Sequence, residues 1–203
     1  MPALSVSDSD IKVTNAALSL IGIPPIVSFI ENSATADAAN RAYADTLEAV
    51  ISLYPWRFAQ ETATLVRVAD VPPYPWEGFY QLPSDAKNLR TVYIGDFKAP
   101  FDVFGRLVAV RVQATSSEVV KATYSVMVNP SEWPGYFREA FIMKLAARLS
   151  LPLTMDFDLS GQFEQRSEIQ LRRAKSIDAQ GRTQPRLDTK AFIRARRTGG
   201  RMN

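Results

Sequence analysis

Apolar residues recur at helical spacing near both ends of this chain and at alternate positions through its middle. In "DIKVTNAALSLIG", Ile11, Ala17, Leu18 and Ile21 share one face of a predicted helix, with Ser7 and Ser9 as candidate N-caps. Gly22 can take the left-handed conformation past its end, and Pro24–Pro25 prevent continuation. A second, longer helix is predicted to start at Asn32 or Ser33. Its stripe is Ala36, Ala39, Tyr43, Leu47, Val50 and Tyr54, and its many alanines predict close approach of another backbone. Pro55 restricts Tyr54 to extended geometry and stops the helix there.

From residue 57 the period falls to two, as in "RTVYIG" and "RLVAVRV". Strands are predicted over 57–67, 78–82, 88–95, 97–103, 106–112 and 119–127, separated by the breakers "VPPYPWEG", "PSD" and "GDFKAP". Helical spacing returns after "NPSEWP". Phe137, Phe141, Leu145 and Leu149 stand four apart, and Leu151–Pro152 is predicted to end that helix. A last helix is expected over about 156–180, with Leu159, Phe163, Ile169, Leu171 and Ile177 among many charges and Gly181 at its close.

The fold class implied is α+β: a helical bundle (1–55 plus 131–180) split by an inserted antiparallel β module (56–130), with a basic C-terminal extension (181–203). The two helical halves share a core only if the ends of the insertion lie together. Pro55–Trp56 marks the exit from the bundle and Trp133–Pro134 the return, so a large ring at each joint is expected to bury apolar area between the layers.

Composition narrows the chemistry. The chain has 203 residues, 46% of them apolar and 22% charged, enough to build a core. It has no cysteine, which removes disulfides, thiolate nucleophiles and cysteine zinc sites. It has no histidine, which removes the usual general base and the commonest metal ligand. Walker, GxGxxG and GxSxG patterns are absent. Asp156 and Asp158 in "TMDFDLSG" form a DxD-like pair that could hold a divalent cation, but acids at a helix start are the ordinary reading, and Asp8 and Asp10 read the same way. No catalytic residue, metal site or cofactor is expected. No apolar run reaches the ~18 residues of a membrane span, and "MPALSVSDSDIK" lacks the features of a secretory signal, so a soluble, unprocessed protein is expected.

The net charge of +3 is uneven. Residues 181–203 hold seven Lys or Arg against Asp188 alone, a sum of +6, leaving −3 on residues 1–180. Within this arm Phe192–Ile193 sits beside Arg194, Arg196 and Arg197. A purely electrostatic arm needs no apolar pair. Ordering it costs about 1–2 kcal/mol per residue, whereas two apolar side chains contribute ~3–6 kcal/mol. Only a short docked segment, or one that also makes backbone hydrogen bonds, would bind. A solvated basic tail is the alternative.

Residues 15–65 carry "NAALSLIGIPPIVSFIENSATADAANRAYADTLEAVISLYPWRFAQETATL". This resembles the opening of the tail tubular protein A family, the head-to-tail adaptors of short-tailed phages. The matching features are Ala17, Leu18, Ile21, Gly22, Pro25 and Ser28, then the alanine-rich helix, then the corner Pro55, Trp56, Arg57, Phe58 and Ala59. "FYQLPSDAKNLRTV" is similar to the segment that follows in the family (Tyr80, Leu82, Pro83, Asp85, Leu89, Val92). The first ~95 residues carry most of the likeness, in the order the family has them; the rest matches in element type.

The resemblance implies a non-catalytic virion protein at the head–tail junction, assembled as a homo-oligomeric ring, commonly of twelve copies. Such a ring joins the portal protein to a tail nozzle or tail-tube protein and lets genomic DNA pass. No tail-nozzle motif maps onto the sequence, and long-tailed phages and gene transfer agents use related adaptors, so the tail-side partner stays open. Lys190, Phe192, Ile193, Arg194, Arg196 and Arg197 are the expected portal-binding residues, with Pro55, Trp56 and Phe58 as a structural corner. The loop Pro72, Pro73, Tyr74, Pro75 and Trp76 is the expected contact for tail components. The rival reading is a nucleic-acid-binding protein acting through the basic tail; an enzyme built on Asp156 and Asp158 ranks third.

Overall fold

The computed structural model describes residues 8–113 and 117–181. The fold is α+β. Four helices, α1 (Asp8–Leu20), α2 (Ala34–Leu53), α3 (Gly135–Thr154) and α4 (Phe157–Gln180), flank eight strands in the order helix, helix, strands, helix, helix.

α1 buries Val13, Ala17 and Leu18 and closes on Gly22 at φ 74°, where Ile23 N–H returns to the Leu18 carbonyl at 3.0 Å. It begins at Asp8, so Ser9 lies in its first turn instead of capping it, and Ser7 lies outside the described residues. α2 is capped by Ser33, whose hydroxyl accepts from Ala36 N–H at 3.1 Å. Its stripe is buried as expected from Ala36 to Val50, and Tyr54 is half-buried.

α3 is the central helix, packed on α1, α2 and α4. Phe137, Phe141, Leu145 and Leu149 are all fully buried in the shared helical core. Contrary to the sequence expectation, α3 runs through Pro152 to Thr154, and Met155 at φ 55° closes it by donating to the Leu151 carbonyl at 3.0 Å. Proline costs most in a helix interior; here it falls in the last turn. Arg148, four residues back, is exposed, so water can serve the carbonyl that loses its donor. α4 turns its face of Phe163, Ser167, Leu171, Ala174 and Asp178 inward, leaving Ile169 and Ile177 exposed.

The strands form two four-stranded antiparallel sheets, in the orders β1-β8-β4-β5 and β2-β3-β7-β6. Their ranges are β1 Gln60–Thr64, β2 Val66–Val68, β3 Gly78–Gln81, β4 Asn88–Ile94, β5 Phe97–Ala99, β6 Phe101–Phe104, β7 Leu107–Val110 and β8 Val120–Ser125. β1 runs into β2 through Leu65, and β5 into β6 through Pro100, each changing sheet at the bend. With β1–β2 and β5–β6 each taken as one bent strand shared by both sheets, the eight strands make a barrel-like sandwich of six staves. The six predicted strands correspond to these staves, except that Arg57–Ala59 is a 3-10 turn. Val92, Val108, Val110, Val120, Ala122 and Tyr124 fill the interior. β1, β2, β5 and β6 each pair on one side only, and the two bends bring these edges of the two sheets together.

Candidate functional site

Three chain segments meet where the barrel joins the bundle. Pro55 holds Tyr54 extended at φ −150°, ψ 145°, so α2 ends with its last carbonyls unpaired within the helix. Three of them, on Val50, Ile51 and Ser52, find donors from outside. Trp56 Nε1 donates to the Val50 carbonyl at 2.8 Å. From β4, Arg90 reaches the carbonyls of Ile51 at 3.4 Å and Ser52 at 3.1 Å, and Asn88 reaches Ser52 at 3.4 Å. The last turn of α2 has no basic residue of its own. The barrel thus supplies the cation that complements the negative end of the helix dipole.

The return path is built in the same way. Trp133 Nε1 donates to the Val128 carbonyl at 2.9 Å. The two indoles pack edge-on against one ring, with Phe137 centroids 4.9 Å from Trp56 and 5.0 Å from Trp133. Phe58 also meets Phe137, at 4.6 Å. Both tryptophans belong to the helical core, 0% and 3% exposed, and not to a layer between bundle and barrel as the sequence reading expected. The reason is that each indole N–H must reach a backbone carbonyl beside the joint, which draws the ring inward. The insertion ends do lie together: Gln60 pairs with Ser125, and Val126 N–H donates to Ala59 at 2.9 Å.

The end of α4 docks on the same corner. Asp178 is 2% exposed, and its Oδ1 accepts from Arg57 N–H at 3.2 Å and from the Tyr136 hydroxyl at 2.8 Å. Burial first, and the bond to Asp178 second, push the Tyr136 hydroxyl up to about 12. A Cβ at Gly181 would meet only the end of the exposed Arg57 side chain, so α4 finishes beside the corner without requiring glycine there. The basic arm therefore begins at the bundle–barrel joint. Its predicted portal-binding residues, Lys190, Phe192, Ile193, Arg194, Arg196 and Arg197, lie outside the described residues.

The loop predicted to meet tail components joins β2 to β3. Pro72 is buried and Pro75 and Trp76 are half-buried, with the Arg111 guanidinium 5.8 Å from the Trp76 ring. Pro73 and Tyr74 are exposed. Val71 and Tyr74 in this loop, Phe97 at the start of β5 and Val119 before β8 are exposed apolar residues of the β module. A second group of exposed apolar residues, Val27, Ile30, Met155 and Phe157, lies in the segments that precede α2 and join α3 to α4. Beside it, Ala34, Ala38 and Ala42 of α2 face Leu149 and Pro152 of α3 across an open cleft of about 490 Å³. The alanines of α2 thus divide: Ala36 and Ala39 are buried in the core, and these three line the cleft.

The carboxylate pairs have local structural roles. Asp156 caps α4, accepting from Leu159 N–H at 2.9 Å, and Asp158 sits in its first turn. Asp10 is buried and accepts from the Tyr43 hydroxyl at 2.6 Å. Among the described residues no group of three or more acidic side chains is placed to hold a metal ion, and no helix is long and apolar enough to cross a membrane.

The sequence reading missed Arg90, Tyr136 and Asp178 as joint residues. Asp178 carried a usable signal, since an acid in the last turn of a helix opposes the dipole unless something holds it. Arg90 interrupts an apolar alternation in "NLRTVYIG" and was equally visible. No protein-family model matches this sequence, and no curated protein matches it.

Proposed function

We propose that this chain is a structural, non-catalytic virion protein: a head-to-tail adaptor subunit that assembles with its own copies into a ring, commonly of twelve. In this reading the ring stands at the head–tail junction, binds the portal protein on one side and a tail nozzle or tail-tube protein on the other, and lets genomic DNA pass during ejection. The observation that carries the reading is that large apolar side chains stand exposed both on the helical bundle (Val27, Ile30, Met155, Phe157) and on the β module (Val71, Tyr74, Phe97, Val119) of one cross-braced body. Exposed apolar patches mark interaction sites, and a part that joins two others needs two of them held in fixed relation. Arg90 and Asn88, bonded from β4 to the last carbonyls of α2, supply that relation. The alanine-lined cleft between α2 and α3 suits close packing of a neighbouring copy.

Within this reading, Lys190, Phe192, Ile193, Arg194, Arg196 and Arg197 bind portal subunits, and the loop from Pro72 to Trp76 meets the tail component. The test is electron microscopy and affinity measurement of the purified chain with its portal. Rings seated on the portal are expected, and a chain truncated after Gly181 is expected to stay folded and lose portal binding. Unchanged portal affinity after truncation would remove the assignment of the arm. Absence of any assembly with the portal would remove the adaptor reading.

A further inference from the structure

The outer face of α4 has an unusual charge pattern. α4 packs principally on α3, so about half its circumference is free of the bundle. From Gln162 to Gln180 the exposed positions at the middle of that free face are Gln162, Gln165, Arg166, Ile169, Arg172, Arg173, Ser176, Ile177 and Gln180, and the acid on the same face is Asp158, two turns before Arg166 in the first turn of α4. The two glutamates of this stretch, Glu164 and Glu168, lie on the flank towards α3, where Lys144 pairs with both. Arg166, Arg172 and Arg173 fall within a sector of roughly 120° at 3.6 residues per turn. None of the three forms an ion pair with a described residue.

Two ordinary explanations do not account for this. Cations near a helix C-terminus complement the dipole, but that effect is confined to the last turn, and the last turn of α4 has no basic residue. A generally basic surface would scatter cations everywhere, yet residues 1–180 sum to −3. The structure therefore has a local cationic face on an otherwise acidic body.

We propose that the Arg166–Arg172–Arg173 face of α4 binds the phosphodiester backbone of duplex DNA without sequence preference. The charge is complementary, and the guanidinium fork matches phosphate oxygens. The exposed face from Gly161 to Gln180 has no aromatic side chain, so it offers no stacking platform of the kind that single strands require. The interleaved glutamines and Ser176 add neutral donors to phosphate without repelling it. This site is separate from the C-terminal arm and does not depend on the adaptor reading.

The test uses the full chain, titrated against a labelled mixed-sequence duplex by fluorescence anisotropy over a range of salt concentrations. Three neutralised phosphates correspond to a log–log salt slope of about 2.7, or about 40-fold in affinity between 50 and 200 mM salt. The triple variant Arg166→Gln, Arg172→Gln, Arg173→Gln is expected to lose at least about tenfold in affinity at low salt and about 2.7 of the slope. A control with the same loss of charge, Lys12→Gln, Lys98→Gln, Lys121→Gln, changes three exposed cations elsewhere and is expected to keep most of both. The arm is present in every protein, so its contribution cancels. Equal effects from the two triples, or tighter binding of single-stranded DNA or of duplex RNA than of duplex DNA, would overturn the proposal. A chain that binds DNA through this face but fails to assemble on the portal would sink the adaptor reading and leave this one standing.

Discussion

Replacing Trp56 by phenylalanine tests the physical account of the joint. The indole is fully buried, its Nε1 donates to Val50 at 2.8 Å, and its ring meets Tyr54 and Phe137, each at 4.9 Å. Phenylalanine keeps an aromatic ring but removes the donor. The Val50 carbonyl is then left without its partner inside the core, at about 1–3 kcal/mol. The smaller ring leaves a void of about 40 Å³, worth about 1 kcal/mol if the walls do not collapse. The sum is about 2–4 kcal/mol, or a fall in Tm of roughly 4–16 °C for a chain of this size. The assay is urea unfolding followed by far-UV circular dichroism, because fluorescence would report the residue being changed. The same measurement on Trp133→Phe and on the double variant completes a cycle. The two indoles share Phe137, so the effects should be non-additive by about 0.5–1.5 kcal/mol. A single-variant loss under about 1 kcal/mol would refute the claim that the indole bond matters, even at the low end of the carbonyl's cost. Strict additivity would refute the shared-ring account.

Two further outcomes follow from other contacts. Arg90→Met keeps the stem but removes the cation over the end of α2, so a loss of about 1–3 kcal/mol is expected; calorimetry that showed no change in Tm would mean water caps that helix equally well. Alkali should destabilise the fold. Burial first, and the bond to Asp10 second, hold the Tyr43 hydroxyl well above its ordinary range, and Tyr136 is raised to about 12. An unfolded chain ionises near pH 10 while the folded one stays neutral, so stability present below pH 10 should fall as pH rises above it. Tyr43 alone contributes about 1.4 kcal/mol per pH unit in that window. Tyr43→Phe should flatten the decline, and an unchanged slope would count against the assignment.

The sequence by itself determined what neighbouring residues decide. Ser33 and Gly22 set helix limits because capping and left-handed geometry are local properties. The buried stripes of α2 and α3, from Ala36 to Val50 and from Phe137 to Leu149, and the six alternating segments were readable because periodicity reports which face is covered. Pro152 was misread for the same reason: proline's local preference is to end a helix, and the packing of α3 carried the backbone three residues further.

Only the tertiary structure decided the features that connect distant residues. The passage of the chain between the two sheets depends on bends at Leu65, which in sequence looks like an ordinary strand position, and at Pro100, whose breaker signal did not say that the strand would continue into a second sheet. Arg90 caps a helix 38 residues earlier, and Asp178 meets a backbone N–H 121 residues away. An apolar period states that a face is buried, but it does not say against what. The donor that satisfies a carbonyl at a helix end is chosen by the packed fold, where leaving a buried polar group unpaired costs more than any local preference can supply.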